Sequence, residues 1–96
     1  MTDMIDAAVT ALNERLGGRG FDATAKFVLD GAGAIMLDAG GARAGDEAAD
    51  VTLIASAETF EAIFAGELSP TSAFFSGRLR IEGDMGLAMK LGSALG

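Results

Sequence analysis

The chain has 96 residues, 50% of them hydrophobic, carries a net charge of −7, and contains no cysteine, histidine, tryptophan or tyrosine. That length suits a single domain over residues 1–96 with a modest core, one that buries roughly two-thirds of the surface its unfolded chain exposes. Without cysteine there is no disulfide, thiolate nucleophile or zinc–thiolate site, and without histidine the usual general base near neutral pH is missing. We therefore expect a protein that is not an enzyme, with no catalytic residue, cofactor or metal.

The acidic balance argues against nucleic acid as a partner, because phosphate binding needs clustered lysine and arginine. Arg78, Arg80 and Lys90 fall together in the closing segment, where the plainest reading puts them on the wet faces of a strand and a helix. No apolar run approaches the roughly 20 residues of a membrane-spanning helix, and the start, Met-Thr-Asp-Met-Ile-Asp, is acidic where a signal peptide is basic. The expected location is cytoplasmic.

Along the chain, Ile5, Ala8, Val9, Leu12 and Leu16 recur at helical spacing, with Thr2 or Asp3 as the cap and Gly17-Gly18 as the stop. Phe27 and Leu29 alternate with Lys26 and Asp30, and Gly31-Ala-Gly33 turns the chain into a second alternating run at Ile35 and Leu37. Ala42-Arg43-Ala44 is a brief third strand, and Val51, Leu53 and Ala55 make a fourth. Connections this short predict antiparallel neighbours.

Ser56 caps a helix that carries Phe60, Ile63 and Phe64 on one face and stops at Gly66. Ser69-Pro70 starts a second short helix, with the Ser69 hydroxyl as its cap and proline at the first position, which carries Ala73, Phe74 and Phe75 before Gly77. Leu79 and Ile81 alternate with Arg78, Arg80 and Glu82, and after Gly83 the side chain of Asp84 caps a final helix. One stripe of that helix holds Met85, Ala88, Met89 and Gly92, and another holds Leu87, Leu91 and Leu95. A helix apolar on most sides is buried or sits between a core and something else apolar. Periodicity does not say which stripe faces which.

Two other patterns carry little. Gly31-x-Gly33 lacks the third glycine and the helix of a dinucleotide fingerprint. Asp38, Asp46, Glu47 and Asp50 do not match the ligand spacing of a calcium loop and read as a solvated acidic loop. The Phe74-Phe75 pair and the Met85/Met89 stripe are the strongest functional candidates, as core or as the wall of a cavity. Methionine is unbranched and polarizable and adapts to varied apolar shapes. Filling an apolar cavity with an acyl chain returns on the order of 0.8 kcal/mol per buried methylene.

Ala49-Asp50-Val51-Thr52-Leu53, the serine-started helix ending at Gly66, Leu68-Ser-Pro70, Ala73-Phe74-Phe75-x-Gly77 and Arg80-Ile-x-Gly83-Asp84-Met85-Gly-Leu-Ala-Met-Lys-Leu91 together resemble the sterol carrier protein type 2 family. The resemblance implies an α+β fold, a five-stranded, mainly antiparallel sheet covered by helices and enclosing a hydrophobic tunnel. It also implies non-enzymatic binding or carriage of fatty acids, acyl-CoA, phospholipids, isoprenoid or quinone lipids, or sterol-like ligands. Carried onto this chain, it draws the tunnel wall from Phe74, Phe75, Ile81, Met85, Leu87 and Met89, with Phe60, Phe64 and Leu68 from a looser part of the motif.

The implied partners are a lipid or fatty-acyl ligand, transient contact with a membrane, and a lipid-metabolising enzyme. The alternative is an accessory interaction subunit of a lipid-modifying or ubiquinone-biosynthesis complex. The alanine- and glycine-rich composition, the short Gly-Ser-Ala-Leu-Gly ending and the lack of a peroxisomal signal suggest a free-standing bacterial version without the C-terminal extension that closes the tunnel.

Overall fold

The computed structural model describes residues 4–95. The expected cap at Thr2 or Asp3 lies outside them. In chain order the elements are α1 (Met4–Leu16), β1 (Ala25–Asp30), β2 (Gly33–Asp38), β3 (Gly41–Ala44), β4 (Val51–Ser56), α2 (Ala57–Phe64), α3 (Pro70–Phe75), β5 (Leu79–Gly83) and α4 (Met85–Leu95). The fold is α+β, with an open sheet of order β3-β2-β1-β4-β5.

Local chemistry explains most boundaries. Ser56 caps α2 by accepting a hydrogen bond from the Thr59 amide, and Asp84 accepts from the Gly86 and Leu87 amides at 2.8 and 3.2 Å to open α4. Gly66 and Gly77 end α2 and α3 with φ of +80° and +79°, a left-handed conformation that costs glycine nothing. In both, the residue after the glycine donates back five positions, Glu67 to the Ala62 carbonyl and Arg78 to the Ala73 carbonyl, each at 2.9 Å. This is the Schellman closure, which satisfies carbonyls that the helix end leaves open. The expected cap of α3 by Ser69 is absent: Pro70 occupies the first turn, but the Ser69 hydroxyl makes no capping bond.

The expectation of a simple antiparallel meander fails at one connection. β1–β2, β2–β3 and β4–β5 are antiparallel, but β4 does not pair with β3. It lies beside β1, parallel to it, with Phe27 opposite Leu53 and Leu29 opposite Ala55. Residues 45–50 cross from one edge of the sheet to the far side of β1, a reach open to an extended segment at about 3.3–3.6 Å per residue. The reward is burial. Beside β1, Val51, Leu53 and Ala55 join the core, whereas β3 is the small-residue strand Gly-Ala-Arg-Ala. Met36, on the sheet face away from the helices, is buried, with its Cγ close to Gly45 of the crossing segment.

The crossing is fastened by Lys26 to Asp46 at 2.9 Å and by Asp50, whose carboxylate accepts from the Thr24 amide and hydroxyl. Asp38 and Glu47 both pair with Arg43. The acidic residues noted in the sequence are thus dispersed among separate partners.

The helices pack on the other sheet face. Phe27 meets Phe60 edge-on with centroids 5.5 Å apart and Phe64 edge-on at 5.7 Å, while Phe60 and Phe64 stack at 5.6 Å. Leu12, Leu16, Ile35, Leu37, Ile63, Leu91 and Leu95 complete the same core. No helix among the described residues is long and apolar enough to cross a membrane.

Candidate functional site: an apolar groove between α3, α4 and the sheet

The stretch Leu68–Leu91, the most apolar and motif-rich part of the sequence, folds into a groove of about 510 Å³. Its floor is the core-facing side of β4 and β5, from Leu53, Leu79 and Ile81. One wall is α3, bearing Phe74 and Phe75, and the other is α4, bearing Met85, Met89 and Gly92. Strand alternation makes this possible: Leu79 and Ile81 face inward, so Arg78, Arg80 and Glu82 project the opposite way.

The groove is open to solvent. Phe75 is 81% exposed, Met89 73%, Met85 48% and Phe74 39%, while the floor residues Leu53 and Leu79 are each 2% exposed. The walls are therefore greasy side chains standing in water above a dry floor. Phe74 and Phe75 brace each other edge-on at 5.7 Å. Large apolar side chains left exposed together mark a binding surface more often than an accident of packing. The implied enclosed tunnel thus takes the form of an open-sided groove.

Among the residues expected to line the site, Phe74, Phe75, Ile81, Met85 and Met89 come together around this groove. Phe60, Phe64, Leu68 and Leu87 do not line it. Phe60 and Phe64 belong to the packed triad with Phe27, where stacking leaves no room for a ligand. Leu68 and Leu87 are half-buried against the core. The reason is rotational: on α4, Ala88, Leu91 and Leu95 turn inward, which sends Met85, Met89 and Gly92 to the open side.

Sequence reasoning missed Ser69, Thr71, Leu53 and Ser93, which also line the groove. The two stripes of α4 were visible as a pattern, so Ser93, four residues after Met89, could have been placed from the helical wheel. Leu53 could not, since its place depends on β4 pairing with β5.

Two other depressions have different chemistry. One, between α1 and α2, is lined by alanines with Glu14, Arg15, Glu61 and the edge of Phe64. Another, beside β4 and β5, carries Asp30, Arg78 and Arg80. Neither presents a set of large exposed apolar side chains. Outside the groove, Lys90 of α4 pairs with Asp22 at 2.5 Å, and the lysine's hydrogen bond holds the Asp22 carboxyl below its usual range.

A helix-covered, five-stranded sheet with an apolar cleft beside its closing helix is an α+β architecture whose cleft suits an apolar ligand. Residues 8–96 match the model of the SCP-2 sterol transfer family, and the chain belongs to that family. It is similar to hydroxysteroid dehydrogenase-like protein 2 of Xenopus laevis, 48% identical over 61 residues, which is 62% of this chain and 15% of the relative. It is also similar to sterol carrier protein 2 of Rattus norvegicus, 41% identical over 66 residues, 69% of this chain and 11% of the relative. The matches thus span only a small part of these relatives' length. Among solved structures, sterol carrier protein 2 of Aedes aegypti in complex with palmitate superposes with a TM-score of 0.76 at 21% identity, covering 99% of this chain and 96% of that one.

Proposed function

We propose that this protein binds the hydrophobic tail of a lipid in the groove between α3, α4 and β5, and carries it without transforming it. The observation that carries this reading is the exposed quartet Phe74, Phe75, Met85 and Met89 around a dry floor. A tail laid there covers those side chains and itself leaves water, worth on the order of 0.8 kcal/mol per buried methylene before binding costs. Methionine on one wall suits tails of varied shape. The palmitate held by the Aedes aegypti relative supports the same ligand class, as does membership of a sterol transfer family. A cytoplasmic carrier that touches membranes briefly to load and unload belongs to this reading.

Native mass spectrometry after gentle purification, with lipid extraction, tests it alongside titration of a fluorescent fatty-acyl probe. Co-purified lipid and saturable uptake are expected. A protein that emerges empty and takes up no probe would sink the proposal.

A second reading is favoured by the small share of the curated relatives that the chain matches, 15% and 11% of their lengths. In those proteins the similar segment accompanies a much longer chain. We infer that here, too, the groove could present its lipid to an enzyme. Capture of a lipid-metabolising enzyme that depends on Phe75 would support that role.

A further inference from the structure

The two edges of the sheet are finished differently. At β3 the Asn13 side chain occupies both the amide and the carbonyl of Ala42. β5 forms the opposite edge, with β4 on its inner side. The Asp84 amide donates to the Asp50 carbonyl at 3.0 Å, one step beyond the Val51–Gly83 pair. Antiparallel ladders alternate, so Glu82 and Arg80 turn their backbone groups toward β4, and Ile81 turns its N–H and C=O outward. Among the described residues, nothing bonds to that N–H or C=O.

Charged side chains commonly blunt such an edge against other chains. On β5 the charges are instead complementary to themselves. With a second copy antiparallel and Ile81 opposite Ile81 of the partner subunit, Arg80 lies opposite the partner's Glu82, and Glu82 opposite the partner's Arg80. The same register carries Arg78 toward the partner's Asp84 and sets Leu79 against the partner's Gly83, where no side chain competes. Centring the pair on Arg80 or on Glu82 sets like charges directly opposite, which is destabilising. The favoured register is also the one in which the two Ile81 residues exchange a pair of hydrogen bonds. In a continuous sheet the helices of both copies share one face. α3 ends just before β5 and α4 begins just after it, so antiparallel pairing turns the exposed Phe75 toward the exposed Met85 of the partner subunit. Apolar surface that stands in water in one copy is covered in two.

We propose that β5 joins two copies of this chain edge to edge into one continuous sheet, in a register set by Arg80 and Glu82. The test is sedimentation from about 10 μM to about 1 mM with wild type, Arg80→Glu, Glu82→Arg and an equimolar mixture of the two variants. The side chains of Arg80 and Glu82 are 74% and 57% exposed, so neither change should disturb folding. Wild type should show a reversible monomer–dimer equilibrium. Each variant alone sets like charges opposite each other twice over and should raise the dissociation constant about tenfold or more. Mixed, each variant supplies the charges that the other lacks, and pairing should return to within about threefold of wild type. The mixed pair has the same total charge as two wild-type copies, so its return isolates the register from net repulsion. Amide exchange at Ile81 in wild type should slow as concentration rises.

Wild type that stays monomeric throughout, or a dimer that both variants leave intact, would overturn the proposal. So would variants that stay apart on mixing, or a dimer in which Ile81 exchange is independent of concentration.

Discussion

The Nε of Arg15 donates to the carbonyl of Leu95 at 3.0 Å, joining the last turn of the first helix to the last turn of the final one, 80 positions away. The same guanidinium lies against Gly66 at the end of α2. One cation therefore serves two helix C-termini, where exposed carbonyls concentrate partial negative charge. Because α4 forms a wall of the groove, this contact also positions the site.

Arg15→Met keeps much of the aliphatic stem and removes the charge and the hydrogen bond. We expect a loss of about 1–2 kcal/mol in urea unfolding and faster amide exchange in the last turn of α4. Unchanged exchange there would show that α4 is held by its leucines alone.

Asn13 makes a paired contact with the edge strand: its Oδ1 accepts from the Ala42 amide at 3.0 Å and its Nδ2 donates to the Ala42 carbonyl at 3.2 Å. The side chain stands in for a missing neighbouring strand and blunts an edge that could otherwise pair with another chain. Asn13→Ala should cost about 1–3 kcal/mol and raise aggregation. Denaturant melts and light scattering would check both.

Two phenylalanines separate packing from binding. Phe60 is fully buried between Phe27 and Phe64, so Phe60→Ala should cost about 3–5 kcal/mol. Phe75 is 81% exposed, so Phe75→Ala should change stability by less than about 1 kcal/mol yet weaken uptake of a fatty-acyl probe several-fold. Equal probe uptake by wild type and Phe75→Ala would remove Phe75 from the site.

Gly92 offers a plug. A Cβ built there meets nothing within 4 Å, and the residue faces the groove from inside α4. Gly92→Ala should stabilise the helix by about 0.5–1 kcal/mol. Gly92→Leu should keep that fold and fill ligand space, giving a melting temperature at or above wild type with reduced lipid recovery by native mass spectrometry.

Acid should loosen two exposed fastenings. The Asp22 carboxyl is held below its usual 3.8 chiefly by the Lys90 hydrogen bond, and the Asp38 carboxyl likewise by Arg43, helped by the Gly40 amide. A depressed folded-state value means the contribution is fully present above the unfolded value and disappears as pH falls through the folded one. Both should therefore be lost below about pH 4, with salt weakening them at higher pH. Melting temperatures from pH 6 to 2 should fall less steeply in Asp22→Asn and Asp38→Asn than in wild type.

Much of this architecture was readable because its causes are local. Ser56, Asp84, Gly66 and Gly77 mark helix ends through bonds that span only a few residues, and Phe74, Phe75, Met85 and Met89 stood out as unusually apolar. Ser69 looked like an equally good cap and makes no capping bond. Phe75 and, from a looser part of the motif, Phe60 were both expected in the tunnel wall, and they are opposites in exposure. What separates them is the rotation of each helix against the sheet, which depends on partners far along the chain.

The amino-acid sequence by itself determined the elements, the two stripes of α4 and the apolar character of the closing segment, because capping, turn conformation and hydrophobic period act over short range. Only the tertiary structure decided that β4 crosses to lie parallel to β1, that Asn13 seals an edge, and that Phe60 and Phe64 fill the core while Phe74, Phe75, Met85 and Met89 stand in solvent. The physical reason is that burial is a collective quantity. Which apolar side chain leaves water is decided by how the whole set of helices and strands can cover one another, and the surface they leave uncovered is the groove.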